Sequence, residues 1–498
     1  MSGDQSIRFN RTRQEANNGV RLKKGKKGVR VPYQNTRSVL QIPLRKDSDR
    51  RAFAPSRADA PTRLPMRALR SSLAAAMGLT VAFAPATALS GTVFIVNTSS
   101  DSGGGPGTVT LRQAIAAANS SDGNTVQFDP ALAGSTITLA TGELLIDHTM
   151  TIVGLGVDRL AISGANAGRI FSLNCPNGTK AVSISSLTLV NGDAGGGDGG
   201  ALRSQNCQLL LSGVVAAASH ASSGGCLAFD NGTVTNSVVS GCHADQFGGG
   251  IEVNTAVGTP HIDYSTIASN VAVFGGGGVV LNNVNAGISS RVTHISRSTI
   301  NGNNATAKVG QYGGGGILAS HSGLQLQYST VANNTAYASG GGVSFLDSYS
   351  TGLSQVFRST VVHNASQYSN GNGLFLVGGS LNVLGSIVAG NFNKYGLTDL
   401  SGSFSVPYCL IQAPGGASVT GSGSIIGIDP DLSPLDDYGG PTATMLPNPS
   451  SPVIDALFTC DVTDQRGLPG CVNSHADMGA VERQVPEEII FRDGFETG

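Results

Sequence analysis

The chain lacks tryptophan, and aromatic residues make up only 5% of its 498 residues. Charged residues are also scarce, at 13%, which argues against a coiled coil because that structure needs a charged, helix-forming composition. Glycine is abundant instead, with 69 residues, about twice the usual share. Since glycine is about 1 kcal/mol less favourable than alanine inside a helix, an ordinary helical protein is disfavoured too. The composition favours a large, glycine-rich β-protein.

The charge is divided unevenly along the chain. Residues 1–88 hold 18 Lys and Arg against 5 Asp and Glu, whereas residues 89–498 hold 13 against 27. A basic segment could bind nucleic acid, but the acidic remainder disfavours that partner, and we predict no nucleic acid. We expect residues 1–65 to be either a disordered basic extension or a mis-called start that precedes the true start at Met66.

Residues 66–88 have the three parts of a secretory signal peptide. Arg67 and Arg70 come first, an apolar run covers residues 73–84, and a small-residue site ends at Ala88. The apolar run is shorter than the ~20 residues of a membrane span, so the sequence predicts no transmembrane span in the mature chain. We expect cleavage after Ala88 and export of the rest.

All seven cysteines lie in the expected mature part, and none has the C-x-x-C spacing of zinc or redox sites. Export makes disulfides the natural interpretation. The plausible pairs are Cys175–Cys207, Cys226–Cys242 and Cys460–Cys471, which would leave Cys409 free. Sequence alone does not fix the connectivity.

A repeat begins near residue 183, in which a serine opens a short β-branched run that is followed by asparagine and then by a glycine cluster. Successive serines are separated by 28, 33, 31, 30 and 27 residues. They are Ser237, Ser265, Ser298, Ser329, Ser359 and Ser386. Such periods are typical of solenoids, and no helix-length segment separates the runs. The sequence therefore predicts an all-β parallel β-helix whose short strands stack in parallel.

Asparagines follow most of these strands, and glycines fill the corners. We expect the glycines to supply the positive φ angles that other residues adopt at a cost. The asparagines are expected to adopt left-handed turns and to stack as a ladder of side-chain amides. They are Asn270, Asn303, Asn333, Asn334, Asn364 and Asn391.

A solenoid exposes strand edges at its ends and needs caps. Residues 110–119 carry the one convincing helical pattern of the mature chain, and Thr110 with Gln113 forms a capping box. We expect this helix to cover the first turn. The predicted N-terminal cap spans residues 89–123, and the predicted β-helix, of about ten or eleven turns, spans residues 124–428.

Residues 97–119 resemble the CSLREA-type segment that opens many secreted bacterial β-helix proteins, with Thr-Val-Thr at 108–110 where that name has Cys-Ser. The motifs at 429–442, 449–455 and 464–482 resemble the choice-of-anchor Q domain. The combined resemblance implies a right-handed parallel β-helix of the pectate-lyase-like kind on an exported surface protein. It implies no established catalytic activity and no catalytic residues.

The same resemblance assigns residues 429–485 to a C-terminal cap region. The tail at 486–498 is similar to short tails that end many secreted proteins of gamma-proteobacteria, which implies a sorting or processing role; the alternative is a final strand that closes the cap. We therefore expect a protein that is secreted or bound to the cell surface or outer membrane of a Gram-negative bacterium.

Few residues suggest a metal-binding or catalytic site. Asp429, Asp431, Asp436 and Asp437 could bind Ca²⁺ through carboxylate oxygens, and the alternative is a plain acidic loop. We predict no catalytic residue and no other cofactor. An enzyme would need a carboxylate pair, for which Asp245 and Asp263, one turn apart, are the candidates.

The leading function is a non-enzymatic, adhesin-like scaffold that contacts a cell-surface or extracellular polymer, either polysaccharide or protein. The alternative is a lyase or glycoside hydrolase that acts on acidic polysaccharide. A pocket with converging titratable groups would favour the enzyme, whereas a flat polar face would favour the scaffold.

Overall fold

The computed structural model describes residues 91–484 except 104, 176–179, 255–257, 283–290, 309–312, 348–351, 368–370 and 473. The expected basic extension, the signal peptide and the tail at 486–498 lie outside the described residues. The described helix is α1 (Leu111–Ala118), and Pro130–Leu132 forms a 3₁₀ turn. The rest of the regular structure is β.

The strands are short and follow one another closely along the chain. The first fifteen are β1 (Val93–Val96), β2 (Asn124–Phe128), β3 (Ser135–Thr138), β4 (Leu144–Ile146), β5 (Met150–Val153), β6 (Leu160–Ser163), β7 (Phe171–Asn174), β8 (Ala181–Val190), β9 (Leu202–Gln205), β10 (Gln208–Ala217), β11 (His220–Ala221), β12 (Leu227–Phe229), β13 (Gly232–Thr235), β14 (Val238–Ser240) and β15 (His243–Ala244). The next fifteen are β16 (Ile251–Asn254), β17 (His261–Asp263), β18 (Thr266–Ala268), β19 (Val271–Ala272), β20 (Val279–Asn282), β21 (Val292–Ser296), β22 (Thr299–Asn301), β23 (Asn304–Ala305), β24 (Ile317–Ser320), β25 (Gly323–Gln327), β26 (Thr330–Ala332), β27 (Thr335–Ala336), β28 (Val343–Phe345), β29 (Gln355–Phe357) and β30 (Thr360–Val362). The last are β31 (Ala365–Ser366), β32 (Leu374–Leu376), β33 (Leu381–Leu384), β34 (Ile387–Ala389), β35 (Phe392–Asn393), β36 (Gly396–Leu397), β37 (Leu400–Ser401), β38 (Ser403–Ser405), β39 (Leu410–Ile411), β40 (Ser418–Thr420), β41 (Ile425–Ile426), β42 (Asp461–Thr463) and β43 (Pro469–Gly470).

One turn in the middle of the chain shows the plan of the whole. Strands β16, β17, β18 and β19 follow in order, and each pairs in parallel with the strand one turn on, namely β20, β21, β22 and β23. Repetition of this pattern builds sheets of 23, 10 and 8 strands over about ten turns. The fold is therefore the parallel β-helix that the repeat spacing predicts.

The core is a set of aligned aliphatic columns. Ile262, Ile295, Leu326, Val356 and Val383 are register partners on five successive turns, and each side chain is fully buried. Burying a side chain of this size contributes about 1.5–3 kcal/mol. Because the strand period is two, the residues between these positions point outward, and the same register sets the outer surface.

The corners between strands place positive φ angles one residue earlier than the sequence predicts. The left-handed residue of the corner is Ser269 (φ 57°) and not Asn270, and Gly302 (φ 64°) and not Asn303. Asn333 is itself left-handed, at φ 57°. The following asparagine keeps an ordinary φ, so its side chain turns into the core and is free to form hydrogen bonds there.

The predicted amide ladder is present, without Asn333. The side-chain Nδ2 of each asparagine donates to Oδ1 of the asparagine one turn on, at 2.9–3.0 Å. The series is Asn270, Asn303, Asn334, Asn364 and Asn391, and all five are fully buried. The last amide donates to Asp399 Oδ1 at 2.8 Å. The ladder therefore satisfies a column of polar groups inside an apolar core.

A second column uses the repeated serines. The backbone N–H of Ser265 donates to Ser298 Oγ, and that of Ser298 donates to Ser329 Oγ, at 3.1 and 3.2 Å. The same bond recurs from Ser237 to Ser386. Each hydroxyl can thus accept from one turn while it donates to a carbonyl near its own corner, as Ser265 Oγ does to Asp263 O. Both columns explain why the repeat retains these residue types.

Helix α1 is confirmed within one residue of the predicted 110–119. Thr110 Oγ1 accepts from Gln113 N, and Gln113 Oε1 accepts from Thr110 N, which is the predicted capping box. The buried side chains include Leu111, Ile115 and Ala118. The helix contacts β1, β2 and β4, so it covers the first turn as we expected.

Residues 429–484, expected as a C-terminal cap, make their contacts along the flank of the solenoid. Thr330 Oγ1 donates to Gln465 Oε1 at 2.7 Å, and Thr360 Oγ1 accepts from Ala480 N at 3.0 Å. Arg358 occupies a left-handed corner at φ 46°, and its Nε lies 2.7 Å from Asp461 Oδ2. An apolar cluster joins this segment to the strands β26, β30, β34 and β39. The C-terminal segment therefore covers one outer surface of the turns that contain β26, β30, β34 and β39.

Candidate functional site

The outer surface of the 23-stranded sheet carries a column of uncharged polar side chains, which we call the polar face. It is formed by the register partners Thr233, His261, His294, Gln325, Gln355 and Asn382. Neighbouring members are one strand spacing apart, ~4.8 Å. None of the six is Lys, Arg, Asp or Glu, and all six are at least partly exposed. The arrangement offers a straight row of hydrogen-bond donors and acceptors to solvent.

The two histidines of the polar face stack on each other. The ring centroids of His261 and His294 are 4.8 Å apart at an interplanar angle of 11°. Burial, and then the neighbouring His261, lowers the pKa of His294 below its ordinary value. Asp263 lies beside the pair, with its Oδ1 accepting from Ser296 Oγ at 2.6 Å. The face therefore presents hydrogen-bonding groups to solvent, with the carboxylate of Asp263 at its side.

A second histidine pair lies on the 8-stranded sheet. His220 and His243 are register partners on β11 and β15, with ring centroids 5.4 Å apart. Asp245 Oδ1 lies 3.2 Å from His220 Nε2 and 3.8 Å from His243 Nδ1. The other ring nitrogen of His220, Nδ1, lies 3.1 Å from Asp193 Oδ1. This cluster is partly exposed and combines two imidazoles with a shared carboxylate.

The carboxylate pair that an enzyme was expected to use does not form. Asp245 follows β15 of the 8-stranded sheet and faces the two histidines. Asp263 ends β17 of the 23-stranded sheet and bonds to Ser296. The two aspartates lie beside different sheets, because the chain passes through β16 of the 10-stranded sheet between them.

A buried carboxylate on the solenoid that the sequence analysis did not select is Glu252. It is 7% exposed, and burial, then the charge of Asp198, raises its pKa to about 7. Its column partners on the two preceding turns are Ala228 and Arg203. Gly224 lies over it, since a Cβ on that glycine would sit 3.0 Å from Glu252 Cβ.

Other polar and charged groups lie near Glu252 and affect its pKa. Asp230 and Arg203 both affect its pKa, in opposite directions, and Asn254 forms a side-chain hydrogen bond to it. Within the described part of the chain, Glu252 Oε2 has no hydrogen-bond partner. A protonated carboxyl with acidic and basic neighbours can transfer a proton. Low exposure beneath the glycine corner limits access to that proton.

The four aspartates proposed for Ca²⁺ act locally. Asp431 accepts from Asn448 Nδ2 and Ser450 Oγ, and these bonds lower its pKa. Asp429 accepts from Asp431 N, and Asp436 from Asp437 N. Among the described residues, none of the four joins a group of three ligand atoms within 4.8 Å. Their carboxylates bond mostly to other residues of the C-terminal segment.

The acidic residues that do converge in the C-terminal segment are Asp455, Asp477 and Glu482, whose ligand atoms lie within 4.8 Å of one another. Burial raises the pKa of Asp477, and it raises that of Glu482 to about 7. Asp477 Oδ1 accepts from Asp455 N, and Glu482 Oε2 accepts from Asp477 N. These bonds fold the segment onto itself, so the group is explained by the local chain path.

The cysteines pair as the sequence indicates. Disulfides join Cys175–Cys207, Cys226–Cys242 and Cys460–Cys471, with Cα–Cα distances of 5.0, 5.6 and 5.1 Å. Cys409 is free and buried, and burial raises the pKa of its thiol to about 12. It occupies a serine-column position, where its Sγ lies 3.4 Å from Ser386 N. A thiol in this state is not a nucleophile.

Sequence reasoning missed both histidine pairs, although one left a signal. His261 and His294 are 33 residues apart, which equals the step from Ser265 to Ser298. Equal spacing places two residues on the same column of adjacent turns. His220 and His243 are 23 residues apart, shorter than any serine step, so the motif spacing alone did not bring them together.

Comparisons with known proteins give a fold neighbour and no family. No protein-family model matches the chain, and no curated protein matches it. Among solved structures, the crystal structure of pectate lyase Pel9A is similar, at 14% identity and a TM-score of 0.36, over 79% of this chain and 96% of that chain. The CSLREA-like segment and the choice-of-anchor Q region remain predictions. Within the described residues, α1 is too short to cross a membrane, and we find no longer apolar helix.

Proposed function

We propose that the protein is an extracellular, non-enzymatic β-helix scaffold whose polar face binds a neutral polysaccharide. The observation that carries the proposal is the uncharged column of Thr, His, Gln and Asn side chains along the outer sheet. A polysaccharide presents hydroxyl groups at regular intervals along an extended chain. A row of donors and acceptors on a rigid sheet complements such a chain with little ordering cost.

Two features favour a neutral glycan over other polymers. Residues 89–498 carry 27 acidic against 13 basic residues, so an acidic polymer would meet like charge. A protein partner would need a central apolar or aromatic anchor. The six residues of the polar face include no aliphatic or phenyl side chain. Hydrogen bonding to hydroxyl groups is the recognition that this surface offers.

Three disulfides support the extracellular location, because disulfides persist in oxidising compartments. Export through the signal peptide at 66–88, at the surface of a Gram-negative bacterium, is part of the proposal. N-terminal sequencing of the protein recovered outside the cytoplasm should begin at Leu89. Recovery of the protein only from the cytoplasm, with residues 1–88 intact, would contradict it.

The binding test compares two faces of the same rod. The double variant Gln355→Ala/Asn382→Ala removes two amides from adjacent turns of the polar face. The matched control, Asn304→Ala/Thr335→Ala, removes two polar groups from adjacent turns of the 8-stranded sheet. Affinity electrophoresis through galactomannan, xylan and polygalacturonate measures binding.

We expect retardation by a neutral polysaccharide, at least ten-fold weaker binding for the polar-face variant, and unchanged binding for the control. No retardation in any neutral polymer, or equal losses in both variants, would overturn the proposal. Stronger retardation in polygalacturonate than in the neutral polymers would contradict the choice of ligand.

A carbohydrate-active enzyme is the second candidate, favoured by one observation, the carboxyl of Glu252 with a pKa of about 7 beside Asp198 and Arg203. A carboxyl that stays protonated near neutral pH can serve as a general acid. Release of sugar products from acidic polysaccharides, abolished by Glu252→Gln and retained in Asp158→Asn, would replace the scaffold with the enzyme. We expect no release above the blank.

A further inference from the structure

The register of the 8-stranded sheet brings metal-ligating residue types together. His220 and His243 occupy the same position on adjacent turns, and the next residue on each strand, Ala221 and Ala244, is fully buried in the core. The histidines therefore point outward. Asp245 lies two residues after His243, so it returns to the same outer side. The three side chains project into one volume from two neighbouring turns.

The ligand atoms of this group are already close. One nitrogen from each histidine and one oxygen of Asp245 lie within 4.8 Å of one another. A tetrahedral Zn²⁺ with bonds of ~2.0–2.1 Å holds its ligand atoms about 3.3 Å apart. Asp245 Oδ1 is 3.2 Å from His220 Nε2 and 3.8 Å from His243 Nδ1. None of the three side chains is buried, so we expect rotation about their side-chain bonds to close the remaining difference.

Asp193 gives the cluster a feature that a chance surface group lacks. On the preceding turn, its Oδ1 lies 3.1 Å from His220 Nδ1, and the same oxygen accepts from Gly195 N at 2.7 Å. A carboxylate at Nδ1 holds the proton there and leaves the lone pair on Nε2, which faces Asp245. Metal-binding histidines commonly have such a carboxylate partner.

We propose that His220 Nε2, His243 Nδ1 and Asp245 Oδ1 form a site for a divalent transition metal of the zinc class, with Asp193 as a positioning residue. Two imidazoles and one carboxylate suit Zn²⁺ better than Ca²⁺ or Mg²⁺, which prefer oxygen ligands. The three protein ligands leave a fourth coordination position open to solvent or to a further ligand. The bound ion would also join two adjacent turns.

The second histidine pair provides the internal control. His261 and His294 stack at 4.8 Å, but the nearby Asp263 uses Oδ1 for Ser296 and keeps its Oδ2 3.9 Å from His261 Nδ1. This pair does not form a three-ligand group with ligand atoms within 4.8 Å. Loss of a histidine there removes an imidazole and leaves the proposed site intact.

The test uses the full exported chain after treatment with EDTA. Calorimetric titration with ZnCl₂ should give one ion per chain with micromolar or tighter affinity, and thermal denaturation should shift upward with Zn²⁺ but not with Ca²⁺. His243→Ala should weaken binding at least ten-fold and remove the thermal shift. Asp193→Asn should weaken binding ten- to hundred-fold. His294→Ala, which lies outside the proposed metal site, should bind Zn²⁺ with the affinity of the wild type.

His243→Gln, which keeps a polar side chain on the strand, repeats the measurement if His243→Ala fails to fold. The visible absorption of a Co²⁺-substituted sample reports the ligand set and should change in the His243 variant only. No Zn²⁺ binding by the wild type, unchanged binding in both His243 variants, or equal loss in His294→Ala would overturn the proposal.

Discussion

The lower turns, around β7 to β16, and the upper turns, from β17 to β35, have the same strand plan but different internal reinforcement. In the lower turns, disulfides join Cys175–Cys207 and Cys226–Cys242. In the upper turns, the amide ladder from Asn270 to Asn391 continues the column that Cys242 begins, whereas Cys175 and Cys207 lie at another corner, after β7 and β9. The two systems meet at Cys242, whose backbone N–H donates to Asn270 Oδ1 at 3.0 Å. Disulfides thus reinforce the lower turns, and side-chain amides reinforce the upper turns.

The outer surfaces of the two regions differ as well. Beneath the glycine corners, the lower turns carry Arg203 and Glu252, whereas the same column in the upper turns continues as Val280 and Leu318. The upper turns also bear the C-terminal segment on one flank. The charged side chains of this column therefore lie on the lower turns. No described segment packs over the histidine–aspartate cluster there.

Breaking the ladder should have the largest effect. Asn334→Ala removes the side chain that accepts from both nitrogens of Asn303 and donates to Asn364 and Ile300. Buried groups left without partners cost about 1–3 kcal/mol each, so we expect a loss of about 3–5 kcal/mol in the free energy of unfolding by urea. Asn304→Ala, outside the ladder, should lose less than about 1 kcal/mol. Similar losses in both variants would show that the ladder adds no stability.

Removing the disulfide that begins the column should have a somewhat smaller effect. Cys226→Ala/Cys242→Ala opens a link between residues 16 apart, for which the loss of unfolded-state constraint is about 3 kcal/mol. The backbone bond to Asn270 remains available because alanine keeps its N–H. Urea unfolding without reductant measures the change. A loss larger than that of Asn334→Ala would reverse the proposed ranking.

The smallest effect should come from Glu252, and it should depend on pH. Its pKa of about 7 in the folded protein is above the ordinary value of 4.5, so the folded state holds the proton more tightly than the unfolded state does. The stability from this group is complete below about pH 4.5 and declines as the pH rises through 7. Glu252→Gln should therefore be more stable than wild type by roughly 2 kcal/mol at pH 8 and similar at pH 4.

Thermal denaturation of wild type and Glu252→Gln across this pH range measures the difference. Asp158→Asn, an exposed acid-to-amide change on the solenoid, should follow the wild-type profile. A parallel pH dependence in Glu252→Gln and wild type would show that Glu252 is not the group responsible.

The repeat made much of the fold predictable. The serine steps predicted which strands are neighbours, and this spacing identified the stacked Asn270 and Asn303. Thr110 and Gln113 predicted the helix because capping is local. The predicted position of the left-handed residue was wrong by one residue. Ser269 and Gly302 adopt the positive φ because the side chain of the next residue, an asparagine, turns inward.

Other features depend on contacts that the repeat does not encode. The flank position of residues 429–484 depends on long-range contacts: Thr330 bonds to Gln465 and Arg358 bonds to Asp477, across 135 and 119 residues. The histidine–aspartate cluster depends on a short turn between His220 and His243. Loop lengths set those juxtapositions, and the motif spacing does not contain them.

The ladder has a direction, and this direction determines where the ladder ends. From Asn270 onward, each side-chain amide donates a hydrogen bond to the asparagine on the next turn towards the C-terminus. Each added asparagine therefore needs another acceptor beyond it. The carboxylate of Asp399 only accepts hydrogen bonds: its Oδ1 accepts from Asn391 Nδ2, and its Oδ2 accepts from Ala413 N. An acceptor-only side chain thus acts as a terminator. Duplicating a turn before it would lengthen the molecule without leaving an amide unsatisfied, whereas duplication after it would not extend the series.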